Sequence, residues 1–432
     1  MPRTSAVPGE IPAAHVAAVS IGNALEFYDF LTFSLFAVYI GQAFFPGHNA
    51  TDKLYASLAT FWAGFLTRPL GAAVLGPLGD RIGRKPAMLI SFVMIGAGML
   101  GLALTPTYAK IGAAAPVLAV SFRLIQGFAL GGNVGPTTAY MLEAAAPERR
   151  GYYASFQYTS QGAAVLASAL VGWALAKLLS PHDLAAWGWR AAFFLGVIIV
   201  PFGLWLRNRL PETLHQAAGA AIAPATRVAS HWRVIVCGFV LLLSGTIVTY
   251  ITLYMTTYAL DTLHLEASAA FGVTIITALA IIVFSALGGV LSDRFGRRPV
   301  MLWPTLAAIL VSWPVFWAIG HYPGLISLYV GMGLISMLSS LASAPVIVAL
   351  TEGLPAAIRS GGVAIVYALA ISIFGGATQF VLAKAIHLTG DPMAPSWFLI
   401  AAYAVSLPAI LLIRESAPAR AVPSLVTETV LS

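Results

Sequence analysis

Charge is what this chain has least of. Asp, Glu, Lys and Arg make up 9% of its 432 residues, against 59% hydrophobic residues, whereas a soluble domain carries about 25% charged residues. With a mean hydropathy of +0.87, the composition excludes a soluble globular protein. Cysteine is scarcer still. Cys237 stands alone within an apolar segment, which excludes an intrachain disulfide and reads as a small packing residue. There is no Gly-x-x-x-x-Gly-Lys-Ser/Thr loop for ATP, no His-Glu-x-x-His and no clustered Cys/His site. An ATP-driven pump, a metal centre and a soluble enzyme are set aside, and no cofactor is expected. The sequence pI near 9.5 does not point to nucleic acid, because the basic residues fall in short clusters between apolar runs. The N-terminal residues are polar, and the first apolar run is too long and too charged for a signal peptide, so no cleavable leader is expected.

What the chain has is apolar length. A membrane-spanning helix needs about 20 mostly apolar residues. Twelve such runs lie near 15–44, 54–78, 86–106, 113–142, 152–177, 187–206, 233–258, 268–292, 299–320, 323–350, 360–387 and 395–414, the pattern of an all-α membrane protein. The gap 207–232 holds Pro211, Pro224 and several charges. It reads as a linker between two six-helix halves, 15–206 and 233–414, with 415–432 as a tail. Lys and Arg set the orientation. With the N-terminus in the cytoplasm, the inner loops hold Arg81, Arg84, Lys85, Arg149, Arg150, Arg294, Arg297 and Arg298, among others, while the outer loops hold Lys53, Lys110, Lys177 and Lys384. Both termini are expected in the cytoplasm and the chain in the inner membrane.

The halves repeat each other. Asp80-Arg81-Ile82-Gly83-Arg84-Lys85 follows the second run, and Asp293-Arg294-Phe295-Gly296-Arg297-Arg298 follows the eighth, half the chain later. The glycines permit a tight turn and close helix approach. Asp80 can accept hydrogen bonds from the start of a neighbouring helix, where the dipole favours an anion, and Asp293 is its copy. Glu143, Pro147, Arg150 and Gly151 recur as Glu352, Pro355, Arg359 and Gly361. Arg81 or Arg84 can pair with Glu143, and Arg294 or Arg297 with Glu352, latching the inner face; the alternative is simple positive-inside anchoring. Duplicated bundles are a common way to build a transporter.

Intramembrane charge collects in the first half. Gly22-Asn23-Ala24-Leu25-Glu26-Phe27-Tyr28-Asp29-Phe30 puts Glu26 and Asp29 three apart, on one helix face. Ionisable groups at membrane depth are costly and face a cavity or a partner, and a proton on one carboxylate relieves its repulsion with the other. The two are candidate proton carriers, the alternative being a structural ion pair with Arg68 or Arg123. Arg123 is the candidate anion ligand, because a guanidinium is planar, always charged and matched to carboxylate. Gln126 shares its face. Gln157 and Gln161, four apart, can hydrogen-bond a carboxylate or hydroxyl, or pack helices together. Tyr250 and Tyr254 lie along the seventh run and Tyr367 on the eleventh, as further candidate contacts. Lys384 and His387 read as snorkelling to the headgroups.

The doubled loop motif in a twelve-helix chain resembles the major facilitator superfamily, whose fold is two pseudo-symmetric six-helix bundles. The stretch 22–30 resembles, more narrowly, its metabolite:proton symporter branch. Arg68-Pro69-Leu70-Gly71, Arg123-Leu124-Ile125-Gln126-Gly127-Phe128, Trp187-Gly188-Trp189-Arg190, Leu210-Pro211-Glu212-Thr213 and Phe374-Gly375-Gly376 fit that branch too. The resemblance implies uptake of a metabolite with protons; members carry citrate, tricarballylate, 2-oxoglutarate, shikimate, dicarboxylates, or proline and betaine. Two positions depart from it. Gly131-Gly132-Asn133 stands where the branch usually has Gly-Gly-Glu. Asn133, a candidate substrate contact, carries no proton, so coupling falls to Glu26 or Asp29 or is altered, and an anionic substrate is mildly favoured. Gln379 stands where the branch tends to have proline. The expectation is a monomeric carrier of a small organic anion, citrate or a related di- or tricarboxylate, coupled to protons in the lipid bilayer. Symport of a zwitterionic osmolyte and a sensor that binds without translocating remain as alternatives.

Overall fold

Backbone polar groups find no water in hydrocarbon, so a chain this apolar must satisfy them within each segment. Helices do this, and in the computed structural model every regular element among the described residues is helical. Those residues are 13–82, 84–131, 145–209, 231–322 and 324–418. Ten helical stretches are long and apolar enough to cross a membrane. Another candidate is the first run, α1 (Ala13–Leu35) with α2 (Ala37–Phe44), which bends by 66° at Phe36. The second run is α3 (Ala50–Leu66) with α4 (Arg68–Ile82), and the third is α5 (Arg84–Leu104). The fourth is described through α6 (Ala114–Leu130) and Gly131 only.

The fifth run is α7 (Arg150–Leu178). The sixth begins at Pro181, earlier than the expected 187, and passes through a π turn, Leu184–Gly188, into α8 (Trp189–Gly196) and α9 (Ile199–Arg209). The early start has a local cause. The Ser180 hydroxyl accepts the Asp183 N–H at 3.1 Å, and Pro181 follows, where its missing N–H is no loss. The second half supplies α10 (Trp232–Asp261), α11 (Ala267–Phe295), α12 (Arg297–His321), α13 (Leu325–Glu352), α14 (Ala356–Thr389) and α15 (Ala394–Leu412).

Two of the sequence motifs act at helix ends. Arg190 donates to the carbonyls of Ala103 at 2.9 Å and Thr105 at 2.7 Å, so it caps the C-terminal end of α5, where the helix dipole favours a cation. Gly296, between α11 and α12, has φ 102°, a conformation open chiefly to glycine. This turn is the reason the second loop motif needs a glycine there.

Lipid offers no hydrophobic drive between helices, so small residues that let backbones approach decide the packing. A Cβ on Gly127 would overlap the Gly64 carbonyl, and one on Gly71 the Phe128 carbonyl, so the α3–α4 span and α6 touch backbone to backbone. The halves meet in the same manner. Along the α7–α11 contact, Gly151 and Gly289 face each other's carbonyls at the arginine-rich end, Gly162 lies beside Ile281, and Gly172 lies beside Phe271 toward the opposite end. Along the α3–α14 contact, Gly375 and Gly376 admit the Phe65 ring and the Trp62 backbone. One core cluster therefore draws on both halves, with Phe30, Phe61 and Phe65 packed with Tyr250, Phe271 and Ile371. Gly127→Val is expected to lower the thermal unfolding midpoint in detergent, because overpacking a fixed backbone contact costs about 1–3 kcal/mol. Gly245→Val, where no atom lies within 4 Å of a new Cβ, should leave the midpoint in place; equal shifts would contradict the packing described.

Candidate functional site

The polar face of α1 carries Asn23, Glu26 and Asp29, and all three are buried, Asp29 completely. Opposite Asp29, α6 presents Arg123 and Gln126, each 0% exposed. Gln126 bridges them: it accepts from Arg123 Nη1 at 3.1 Å and donates to Asp29 Oδ1 at 2.9 Å. The direct Arg123–Asp29 approach is longer, 3.8 Å. The amide thus relays between two charges that do not fully close on each other. Room for this comes from glycine. Arg123 lies against Gly64, where a Cβ would stand 3.0 Å from Nε, and Gln126 fills the space a Cβ on Gly98 would take.

The arrangement leaves donors over. Arg123 Nε and Nη2 and Arg68 Nε are buried without a hydrogen-bond partner. Both guanidinium groups rest on aromatic rings, Arg123 at 4.1 Å from the Phe30 centroid and Arg68 at 4.3 Å from the same ring. Tyr250, from the second half, closes this box by packing edge-on to Phe30, Phe61 and Phe65. Unpartnered N–H groups on buried cations are expensive, and they are what an anionic ligand would satisfy.

A second polar patch flanks the first. Asn23 donates to Ser160 Oγ at 2.7 Å and accepts from Gln157 Nε2 at 3.2 Å. Tyr367 stands within reach of Gln157 and Gln161, and Gln161 Nε2 is buried without a partner. Glu26 and Asp29, Arg123 and Gln126, Gln157 and Gln161, Tyr250 and Tyr367 are thus gathered around the middle of the molecule. Tyr254 is not. It packs in a different cluster, with Tyr258, Leu54 and Leu58, because a step of four residues moves it one turn along α10. Gln379 pairs with Ser34 of α1 at 2.7 Å and with the Tyr250 carbonyl at 3.3 Å. Asn133 lies outside the described residues. Asn23, Gly64 and Gly98 join the site beyond the residues expected from the sequence; the place of Asn23 one turn before Glu26 is the signal for it.

At the arginine-rich end the second loop motif reaches across to the first half. Asp293 accepts the N–H groups of Gly151 and Tyr152, each at 2.9 Å, so a carboxylate of one half caps the first turn of α7 in the other. Arg297 pairs with Asp293, donates to Ser292 Oγ at 2.9 Å and approaches Glu352 at 3.5 Å. Glu352 also meets Arg150 at 3.3 Å. Of the two arginines considered for Glu352, it is Arg297, fully buried, that takes the role; Arg294 is exposed, as is Arg81 in the first copy. Asp80 ends up on α4 and Arg84 at the start of α5, while Glu143 lies outside the described residues. At the opposite end His387 meets Asp261 at 3.1 Å and packs edge-on against Tyr55 of the first half, so it makes a specific contact in place of the snorkelling read from the sequence.

The tail joins this ion-pair cluster. Glu415 accepts the backbone N–H groups of Arg297 at 2.8 Å, Arg298 at 3.0 Å, Ser416 at 3.1 Å and Ala417 at 3.0 Å, capping α12, while Ser416 Oγ donates to Glu352 at 2.6 Å. Burial raises the Glu415 carboxyl, but the N–H groups of Ala417, Arg297, Arg298 and Ser416 together hold it below the usual glutamate value. A carboxylate depressed in the folded state contributes stability that is complete above its unfolded value and is lost as pH falls through the lower folded one. Glu415→Gln is therefore expected to lower the thermal midpoint at pH 7, and the gap to wild type should close below about pH 4. A gap independent of pH would refute the charged cap.

Comparison with known proteins follows the same lines. Residues 20–378 match the sequence profile of the Major Facilitator Superfamily. The chain is 36% identical to the citrate-proton symporter of Klebsiella pneumoniae over 423 residues, covering 96% of this chain and 95% of that protein. It is 34% identical to the alpha-ketoglutarate permease of Escherichia coli (strain K12) over 406 residues, covering 91% and 92%. Among solved structures, that of a D-xylose-proton symporter superposes with a TM-score of 0.76 at 19% identity, covering 93% of this chain and 98% of that one; this likeness concerns the fold. The chain belongs to the Major Facilitator Superfamily, as a multi-pass membrane protein of the transporter fold.

Proposed function

We propose that this protein is a secondary active transporter that takes up a small organic anion, citrate or a related di- or tricarboxylate, together with protons. The observation that carries the reading is the pair of buried guanidinium groups with unpartnered N–H donors, Arg68 and Arg123, set beside a single relay of Gln126 and Asp29. Spare cationic donors suit a carboxylate better than a zwitterionic osmolyte, whose ammonium group would meet like charge. The similarity to a citrate-proton symporter and an alpha-ketoglutarate permease supports the same choice.

In this reading the two halves, 15–206 and 233–414, rock about the central site, joined by the linker 207–232 and followed by the tail 415–432. Both termini face the cytoplasm, the membrane is the inner one, and the unit is a monomer. Asp29, ionised, holds Arg123 through Gln126. A proton on Asp29 cancels the charge that competes for the guanidinium, so Arg123 is released to a substrate carboxylate, which forms a charge-assisted, bidentate contact. Arg68 takes a second carboxylate, and Gln157, Gln161 and Tyr367 hydrogen-bond the remaining oxygens. Once the halves have rocked, loss of the proton restores the Asp29–Gln126–Arg123 relay and expels the anion. Glu26 is the second proton acceptor. Asp293, Arg297, Glu352 and Arg150 hold the cytoplasmic face shut and part when it opens; Asp80, Arg81, Arg84 and Glu143 are assigned the matching role in the first half.

Two substitutions test this in proteoliposomes loaded with a pH gradient. Removing one partner of a buried charged contact costs about 2–5 kcal/mol, so Arg123→Gln should reduce citrate uptake at least about 30-fold while the protein stays folded. Asp29→Asn should lose accumulation driven by the pH gradient yet keep exchange of labelled for unlabelled citrate. Wild-type rates in Arg123→Gln, or full gradient-driven accumulation in Asp29→Asn, would remove the assignment.

A further inference from the structure

Phe30 is the ring that two cations share. The Arg123 guanidinium carbon lies 4.1 Å from its centroid and that of Arg68 lies 4.3 Å from it, so the two cations are no farther apart than the sum of those distances. The other rings serve one cation each among the described residues: Phe33 and Phe61 for Arg123, Phe65 for Arg68. Phe30 is 0% exposed and is itself wedged, at 4.3 Å edge-on to Phe65 and 4.7 Å from Phe61. It stands on α1 directly after Asp29, so the helix that supplies the carboxylate also supplies the ring.

We infer that Phe30 is a positioning residue that sets the spacing of two anion-binding groups. A benzene ring carries negative potential on its faces, which attracts a guanidinium at this distance. Two like charges in a low-dielectric core repel, and each has a carboxylate on α1 toward which it can swing. A shared ring opposes both movements. It gives each guanidinium an uncharged partner that a carboxylate ligand need not displace, and it keeps their unpartnered N–H groups at a fixed separation, presented to one ligand with two carboxylates. Weakening the ring lets the arginines settle on Asp29 and Glu26, and an arriving anion then has to compete with them. This rests on the reading of Arg68 and Arg123 as the anion site.

The test replaces Phe30 in the full-length protein with phenylalanine carrying one, two or three ring fluorines, which drain the face potential and leave the shape nearly unchanged. With citrate as the probe, KM is expected to rise stepwise, by about 3- to 10-fold at three fluorines, as befits a cation–π contact, with kcat within about 2-fold. The same fluorines at Phe33, which faces Arg123 alone, should have a smaller effect. A KM that stays flat or falls along the Phe30 series overturns the inference, since a ring acting by packing alone would not register fluorine. The thermal unfolding midpoint without substrate gives an independent reading: it should fall stepwise along the Phe30 series, and a flat series overturns the inference. If wild type takes up neither citrate nor 2-oxoglutarate, the proposed function fails, while the midpoint series still decides the role of the ring.

Discussion

A guanidinium held in hydrocarbon has to be neutralised, and the core of this protein is built around that requirement. Arg123 has no exposure, so water cannot screen it. Among the described residues its carboxylate partner is Asp29, which sits 3.8 Å away and is reached through Gln126. The surroundings follow from this need. Gly64 and Gly98 are glycines because Arg123 and Gln126 occupy the space of their missing side chains. Phe30, Phe33 and Phe61 are aromatic because ring faces stabilise a cation that one carboxylate leaves incompletely satisfied. Tyr250 arrives from the other half to complete the box, which ties the charged cluster to the contact between halves.

The ion-pair cluster at the arginine-rich end obeys a different balance. There Arg150 keeps 23% of its side-chain exposure, and Glu352 keeps 7%. The Arg150–Glu352 pair can part without stranding a bare cation, because Arg150 is reached by water, whereas Arg297 beside it is fully buried and keeps Asp293 and Glu352 as partners. The core relay has no such outlet, and breaking it requires a substitute for one partner. A pair reached by water at the end, and a relay that breaks only by exchange in the middle, suit a rocking carrier. The ends follow the state, while the centre responds to what is bound.

How legible the molecule was in its sequence depends on the range of each interaction. Helix positions were readable because apolar length is set by the bilayer, and the sixth run missed its start only where Ser180 and Pro181 form a local cap. The Arg123–Gln126 pairing was readable from a spacing of three, and the cap role expected of Asp80 is visible in its copy, Asp293. Contacts between distant segments were not readable. Nothing in the spacing of Gly64 or Gly98 announces an arginine or a glutamine packed against it. Tyr254 shares a helix face with Tyr250 but lies a turn farther from the charges, a displacement that periodicity alone does not weigh. Glu415 follows the last helix much as Glu212 follows the sixth. Its capping role depends on contacts with α12 that no local spacing in the tail encodes.

Charge balance connects these observations to coupling. Around the centre stand two guanidinium groups, Arg68 and Arg123, and two carboxylates, Glu26 and Asp29, all buried. The four are close to neutral together, which suits a low dielectric. A dicarboxylate entering on the proposed reading would bring two negative charges into that region with no counter-ion. Protons on Glu26 and Asp29 remove two negative charges and restore neutrality with the substrate in place. Net charge at membrane depth is costly, so on the proposed reading protonation of these carboxylates and entry of the anion favour each other.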